Sequence, residues 1–112
     1  MDESILYTIK AMLGPTAEDE HFDAEIIPLI NKEFWKLRDI GVGPTTVFKI
    51  EDSSSVWSDF MSDIDLFEPI KTFIYYGVKL TFDPPTQTSH LQAMKDDYKE
   101  YECRLHIACD KT

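Results

Sequence analysis

The chain has 112 residues, of which 43% are hydrophobic and 12% aromatic; that is apolar material enough for the core of one folded domain and argues against intrinsic disorder. Its 21 acidic and 11 basic residues give a formal charge of −10, the wrong sign for neutralising nucleic-acid phosphates or docking on anionic lipid. The opening "MDESILYTIKAML" has no basic leader, and nowhere do about 18 apolar residues run together, so neither secretion nor membrane spanning is expected and the cytoplasm is the expected site of synthesis.

Residues 4–13, "SILYTIKAML", place Ile5, Leu6, Ile9, Met12 and Leu13 on one stripe. Asp2 or Ser4 is the candidate N-cap and Gly14-Pro15 the stop, which predicts a short amphipathic helix. A polar loop follows. Asp23 is then the expected N-cap of a second helix running to about Ile40, with Ile26, Ile27, Ile30, Phe34 and Leu37 at steps of three and four. Gly41 falls where a left-handed C-terminal residue is wanted. Pro28 removes one amide inside this helix and predicts either a mild kink or a later start.

Two glycines and a proline break the pattern in "GVGPTTVFKIEDSSS", and the β-branched cluster "TTVFKI" admits a short extended or β segment near residues 45–50. Ser54 or Ser55 is the expected cap of a short helix over "VWSDFMSD". Asp63 or Asp65 should cap a long one burying Leu66, Ile70, Phe73, Ile74, Gly77 and Val78, with Phe67 and Leu80 broadening that face and Pro69 in the first turn, where a missing amide costs little. The last helix is expected from about Ser89 to Cys109. Its Leu91, Met94, Tyr98, Tyr101, Leu105 and Ala108 make a heptad-like seam.

Between the two longest helices stands "LTFDPPT". Asp83 precedes a proline and is pushed away from helical geometry, and Pro84-Pro85 cannot continue a helix that needs their amides. The segment reads as a rigid structural corner, Asp83, Pro84 and Pro85, with Thr86 or Ser89 capping the next helix. The expected fold is one all-α domain over residues 1–112, of about five helices.

Chemistry is hard to place on this pattern. The serines of 53–55, the cysteines and the three histidines lie in no catalytic signature. Cys103, His106 and Cys109 read C-x2-H-x2-C, but each three-residue step falls about 60° short of a full helical turn and no second ligand pair exists. The same two cysteines would be roughly 9 Å apart along a helix axis, too far for a disulfide, and should be free thiols. "DFMSDIDLFE" lacks the glycine and alternating oxygens of a calcium loop, and its aspartates are better explained as helix caps. No glycine-rich phosphate loop is present, since the "GVG" is followed by proline. The expectation is therefore a protein with no enzymatic activity, cofactor or metal.

Charge is segregated. Residues 11–31 hold five acidic and no basic side chains and residues 50–69 six acidic and no basic, whereas Lys32, Lys36, Arg38, Lys95, Lys99 and Arg104 cluster on two helices. Solvated helix faces would explain this. So would an acidic face that meets a neighbour's basic face head to tail, a contact that closes into a ring if its rotation allows.

Taken together, "ILYTIKAMLG", "FDAEIIPLINKEFWKLRDIGVGP", "WSDF", "IKTFIYYGVKLTFDPPT" and "MKDDYKEYECRL" resemble the head-tail connector, or adaptor, proteins of long-tailed bacteriophages and prophages, often labelled DNA-packaging proteins. The resemblance covers nearly the whole chain. It implies a small all-α virion protein that assembles as a ring, commonly twelve-fold, under the portal, extends the DNA channel and links the capsid to the stopper or tail. It also implies no cofactor, no membrane, and passage of DNA without specific binding. On that reading Asp59, Asp63 and Glu68 are the candidate acidic lining of the channel. Val56, Trp57 and Phe60 are the candidate protein interface, because aromatic residues are enriched there, although Trp57 and Phe60 would equally serve to pin a short helix to the core. The alternative function is a small acidic helical regulatory module that binds a basic partner or mimics DNA.

Overall fold

A computed structural model describes residues 3–14, 20–44, 46, 48–62 and 64–109, and among them the fold is all-α, with five α-helices and no strand. Helix α1 spans Ile5–Leu13, α2 Asp23–Asp39, α3 Trp57–Phe60, α4 Phe67–Phe82 and α5 Thr88–Cys109. Helix α4 is the hub, packed against α1, α2 and α5. The reason is compositional: Ile70, Phe73, Ile74, Gly77 and Val78 recur at steps of three and four and are all buried. Against them lie Ile5, Leu6, Ile9 and Leu13 of α1 and Ile26, Ile30, Phe34 and Leu37 of α2, in one hydrophobic cluster.

Helix α1 begins as its sequence asks. The Ser4 hydroxyl accepts the Tyr7 amide at 3.3 Å from an extended backbone, and the helix ends at Gly14. Met12, expected on the apolar stripe, stands at its edge and is exposed. Helix α2 starts at Asp23, so Pro28 does not delay it. Its end is a Schellman turn: the Val42 amide reaches the Leu37 carbonyl at 2.8 Å and the Gly41 amide the Arg38 carbonyl at 3.1 Å. Gly41, at φ +88°, supplies the left-handed residue this turn needs, and buried Val42 seals it.

The expected caps of α2, α3 and α4 are corrected. Asp23 is the first residue of α2 and not its cap: a 3-10 turn, Glu20–Phe22, runs into the helix with Phe22 in helical conformation, and the Asp23 carboxylate pairs with Lys10 at 2.6 Å. Likewise a 3-10 turn, Ile64–Leu66, leads into α4, so Asp65 lies in that turn and Leu66 takes the capping position; Asp63 lies outside the described residues. A side-chain cap needs an extended backbone at the residue before the helix, and continuous helical turns remove that geometry. Before α3 the capping position is held by Val56 instead of Ser54 or Ser55, and the Asp59 carboxylate accepts the Val56 amide at 3.0 Å.

Extended pairing does occur, but elsewhere than expected. Residues 46 and 48–50 form no strand, and residues 45 and 47 lie outside the described set. The β-type contact is an isolated antiparallel bridge between Ser4 and Val56, in which the Ile5 amide donates to the Ser55 carbonyl at 3.0 Å. Ile50 is held instead by Asn31, whose side-chain amide accepts from its amide (2.7 Å) and donates to its carbonyl (3.0 Å). One side chain thus replaces a strand partner.

The corner forms as the sequence asks. Helix α4 ends at Phe82, Asp83 leaves helical geometry at φ −152° and ψ 66°, and its carboxylate pairs back to Lys79 at 3.2 Å. Helix α5 follows, with the Gln87 carbonyl accepting the Leu91 amide at 2.9 Å; Gln87, and neither Thr86 nor Ser89, precedes the first helical residue. At 22 residues α5 is about 33 Å long. It packs on α4, but of its expected seam only Leu105 is buried; Leu91, Met94, Tyr98 and Tyr101 are half-buried and Ala108 is exposed. A single helix lying along the rim of a core covers its apolar stripe on one side only.

Candidate functional site

The structure sends the expected interface residues inward. Trp57 is 2% exposed and Phe60 4%, and only Val56 is half-buried. Phe34 lies at the centre of an aromatic group, 4.8 Å from Phe48, 4.7 Å from Phe60 and 6.4 Å from Trp57 between ring centroids. The Trp57 indole donates to the Thr8 hydroxyl at 3.2 Å, which in turn donates to the Ser4 carbonyl at 2.6 Å. A buried indole needs such an acceptor. "WSDF" therefore pins α3 and the start of α1 to the core.

The acidic residues are divided. Asp59 and Glu68 are both exposed, and Asp63 is outside the described residues. Asp59 spends one carboxylate oxygen on the start of α3, while Glu68, with an 85% exposed side chain, stands 3.6 Å from Lys71. Neighbouring Glu51, Asp52 and Asp65 are exposed too. Hydrogen bonds from the Ser54 hydroxyl and amide hold the Asp52 carboxyl below its ordinary range. The segment from 51 to 68 is accordingly a negatively charged surface. Among the described residues no group of three or more His, Cys, Asp or Glu side chains is arranged to hold a metal, Cys103 and Cys109 form no disulfide, and no helix is long and apolar enough to cross a membrane.

One polar arrangement in the core has no counterpart in the sequence reading. Glu33 sits on the buried face of α2 at 1% exposure, with its carboxylate against Gly77 of α4. From α5, the Tyr98 hydroxyl donates to Glu33 Oε1 at 2.5 Å and accepts from the Lys36 ammonium at 2.8 Å, while its ring stacks on Phe73 at 4.7 Å and 10°. Burial pushes the Glu33 carboxyl above its ordinary range, an effect that the Tyr98 hydrogen bond and Lys36 oppose. Burial and the adjoining carboxylate push the Tyr98 hydroxyl strongly upward. Three helices meet in this one lock. The signals for it were a glutamate on the stripe of Ile26, Ile30, Phe34 and Leu37, and a glycine in the middle of α4.

An apolar groove opens at the other end of α5. Leu66, Pro69, Tyr101, Arg104, Leu105 and Ala108 line a compartment of about 250 Å³. Beside it a wider trough of about 530 Å³ shares Leu66 and Ala108 and runs to Gly41, Gly43 and Met61. Neither compartment offers paired acid and base groups or a nucleophile beside a base.

A family model described as phage connector protein matches residues 5–112. The chain belongs to that family. The match begins at the first residue of α1 and takes in all five helices, so it concerns the whole packing unit described above. The stretches of this connector that carry the resemblance are structural: "GVGP" holds the Schellman turn of α2, "WSDF" is α3, and "FDPP" is the corner between α4 and α5. Comparison with curated proteins and with solved structures returned no match.

Proposed function

We propose that this connector is a structural, non-enzymatic subunit of the head–tail junction of a long-tailed phage or prophage. Made in the bacterial cytoplasm, it assembles as a ring, twelve-fold in the arrangement the resemblance implies, beneath the portal. There it extends the DNA channel and offers the surface on which a stopper or tail-completion protein docks. The observation that carries this reading is the family match over residues 5–112. It is supported by a core whose polar groups hold helices together and by an exposed acidic segment. Carboxylates such as Asp59, Asp63 and Glu68 facing a channel would repel the phosphate backbone and let DNA slide without sticking.

Native mass measurement of the purified chain with and without the cognate portal tests the reading. A portal-bound ring is the expected result. A chain that stays monomeric at all concentrations and ignores the portal would favour the small acidic regulatory module instead.

A further inference from the structure

Helix α5 is lightly held. Of its 22 residues only Leu105, near the far end, is buried, and residues 88–97 are exposed apart from half-buried Leu91 and Met94. It packs on α4 and is reached through a corner at which Asp83 leaves helical geometry and two prolines follow. Elements with so few buried contacts are the ones that open separately from global unfolding.

What α5 covers is a carboxylate. Glu33 of α2 is 1% exposed, lies against Gly77 of α4 and accepts the Tyr98 hydroxyl of α5 at 2.5 Å, so α5 forms one side of its cage. The same hydroxyl accepts from Lys36 Nζ at 2.8 Å. Lys36 stands three residues after Glu33 on one helix, a spacing at which such a pair can meet directly. With α5 in place the Tyr98 hydroxyl relays between the two; with Tyr98 withdrawn, carboxylate and ammonium have each other.

We infer that α5 is a hinged arm latched by the Lys36–Tyr98–Glu33 relay: it lifts from α2 and α4 as one unit about the corner at residues 83–87, and in the open state Glu33 and Lys36 pair directly. Both arrangements give the buried groups partners, which makes the element two-state. Closing gains the burial of Leu105 and the stack of Tyr98 on Phe73; opening returns Glu33 to water. Because burial pushes the Glu33 carboxyl above its ordinary range, closing takes up a proton and rising pH shifts the arm toward open. The Tyr98 hydrogen bond, Lys36 and Lys32 oppose that shift, Glu102 of α5 adds to it, and α4 presents Gly77 at the site. Opening also dismantles the apolar compartment of about 250 Å³, since Tyr101, Arg104, Leu105 and Ala108 are its α5 wall. The inference concerns the single subunit and does not rest on the ring reading.

Pulsed spin-label distances in the full chain test it. One label sits on native Cys103, roughly 22 Å along the axis from the start of α5, and the other on Trp35→Cys of α2, with Cys109→Ser; both labelled positions are exposed, and unchanged helix content checks the background. One short distance is expected at about pH 5, with a second, longer population growing as pH rises. Tyr98→Phe should raise the open-to-closed ratio at neutral pH by roughly tenfold or more, the effect of losing a hydrogen bond to a charged group. Glu33→Gln, which cannot ionise, should flatten the pH response. A wild-type distance that stays the same at every pH, or a pH response that survives Glu33→Gln, would overturn the inference.

Discussion

The Glu33 carboxylate on α2 fills the space into which a side chain at position 77 of α4 would project. A methyl group there would collide with the carboxyl carbon and both oxygens, so the α2–α4 crossing depends on glycine at this one position. Gly77→Ala should destabilise the fold by about 1–3 kcal/mol from overpacking, partly offset by up to about 1 kcal/mol from the better helix propensity of alanine. Glu33→Ala in the same chain should relieve the collision. Chemical denaturation of the two single mutants and the double mutant gives the coupling, and strictly additive effects would show that the two positions do not meet.

Tyr98 closes the same lock from α5. Tyr98→Phe keeps the stack on Phe73 but leaves a buried carboxylate without its hydroxyl donor and Lys36 without its acceptor. A loss of about 2 kcal/mol is expected. Because Tyr98 ties α5 to α2 through Glu33 and Lys36, hydrogen exchange in α5 should rise more than in α1. Equal changes throughout would mean that the lock serves global stability and not the docking of α5.

The lock also fixes a pH dependence. Burial raises the Glu33 carboxyl above its unfolded value, so within the window between those two values the folded chain holds more protons than the unfolded one. The contribution of Glu33 to stability is therefore greatest below the unfolded value, near the ordinary 4.5, and is lost as pH rises through the raised folded value. Glu33→Gln keeps the shape and an acceptor for Tyr98 without a charge. Its stability relative to wild type should be higher at neutral pH than at pH 4, and a difference that does not change with pH would refute the assignment.

Much of this fold was legible in sequence because it is written in helical periodicity. The stripes of α2 and α4, the stop at Gly14, the turn at Gly41 and the "DPP" corner each depend on a few neighbouring residues. What escaped depends on distant partners or on continuous backbone. Asp23 looks like a cap until Lys10, thirteen residues earlier, is seen to claim it. Glu33 interrupts an apolar stripe without explanation until Tyr98 arrives from 65 residues away. Trp57 and Phe60 carry the composition of an interface, and only the ring contacts with Phe34 and Phe48 place them inside.

The acids of the 51–68 segment give a test of the channel hypothesis. Replacing Asp59, Asp63 and Glu68 together with lysine changes the formal charge by six units per subunit and should make assembled rings retain DNA, more so at low salt. Since Asp59 also accepts the Val56 amide, its loss should cost about 1 kcal/mol at the start of α3. Asp59→Asn, which keeps an acceptor, is the control for that structural effect. DNA retention unchanged across the series would remove these residues from the channel wall.

The corner between α4 and α5 sets how α5 leaves α4, and so bears on both the groove and the lock, because Tyr98 and Leu105 lie on the helix it launches. Asp83 is tied back to Lys79, and the prolines restrict the backbone that follows. Replacing Pro84 and Pro85 with alanine removes two fixed dihedrals, and the lost restriction acts mainly by freeing the unfolded chain, an effect of about 1 kcal/mol per proline. Stability should therefore fall modestly while the Tyr98–Glu33 lock still holds α5 in place. Combining the proline replacements with Tyr98→Phe removes both constraints on the helix. Assembly on the portal should then drop further than the two separate losses predict, measured as the fraction of portal bound at fixed concentration. Assembly that stays unimpaired in the combined variant would show that neither the corner nor the lock positions the helix for docking.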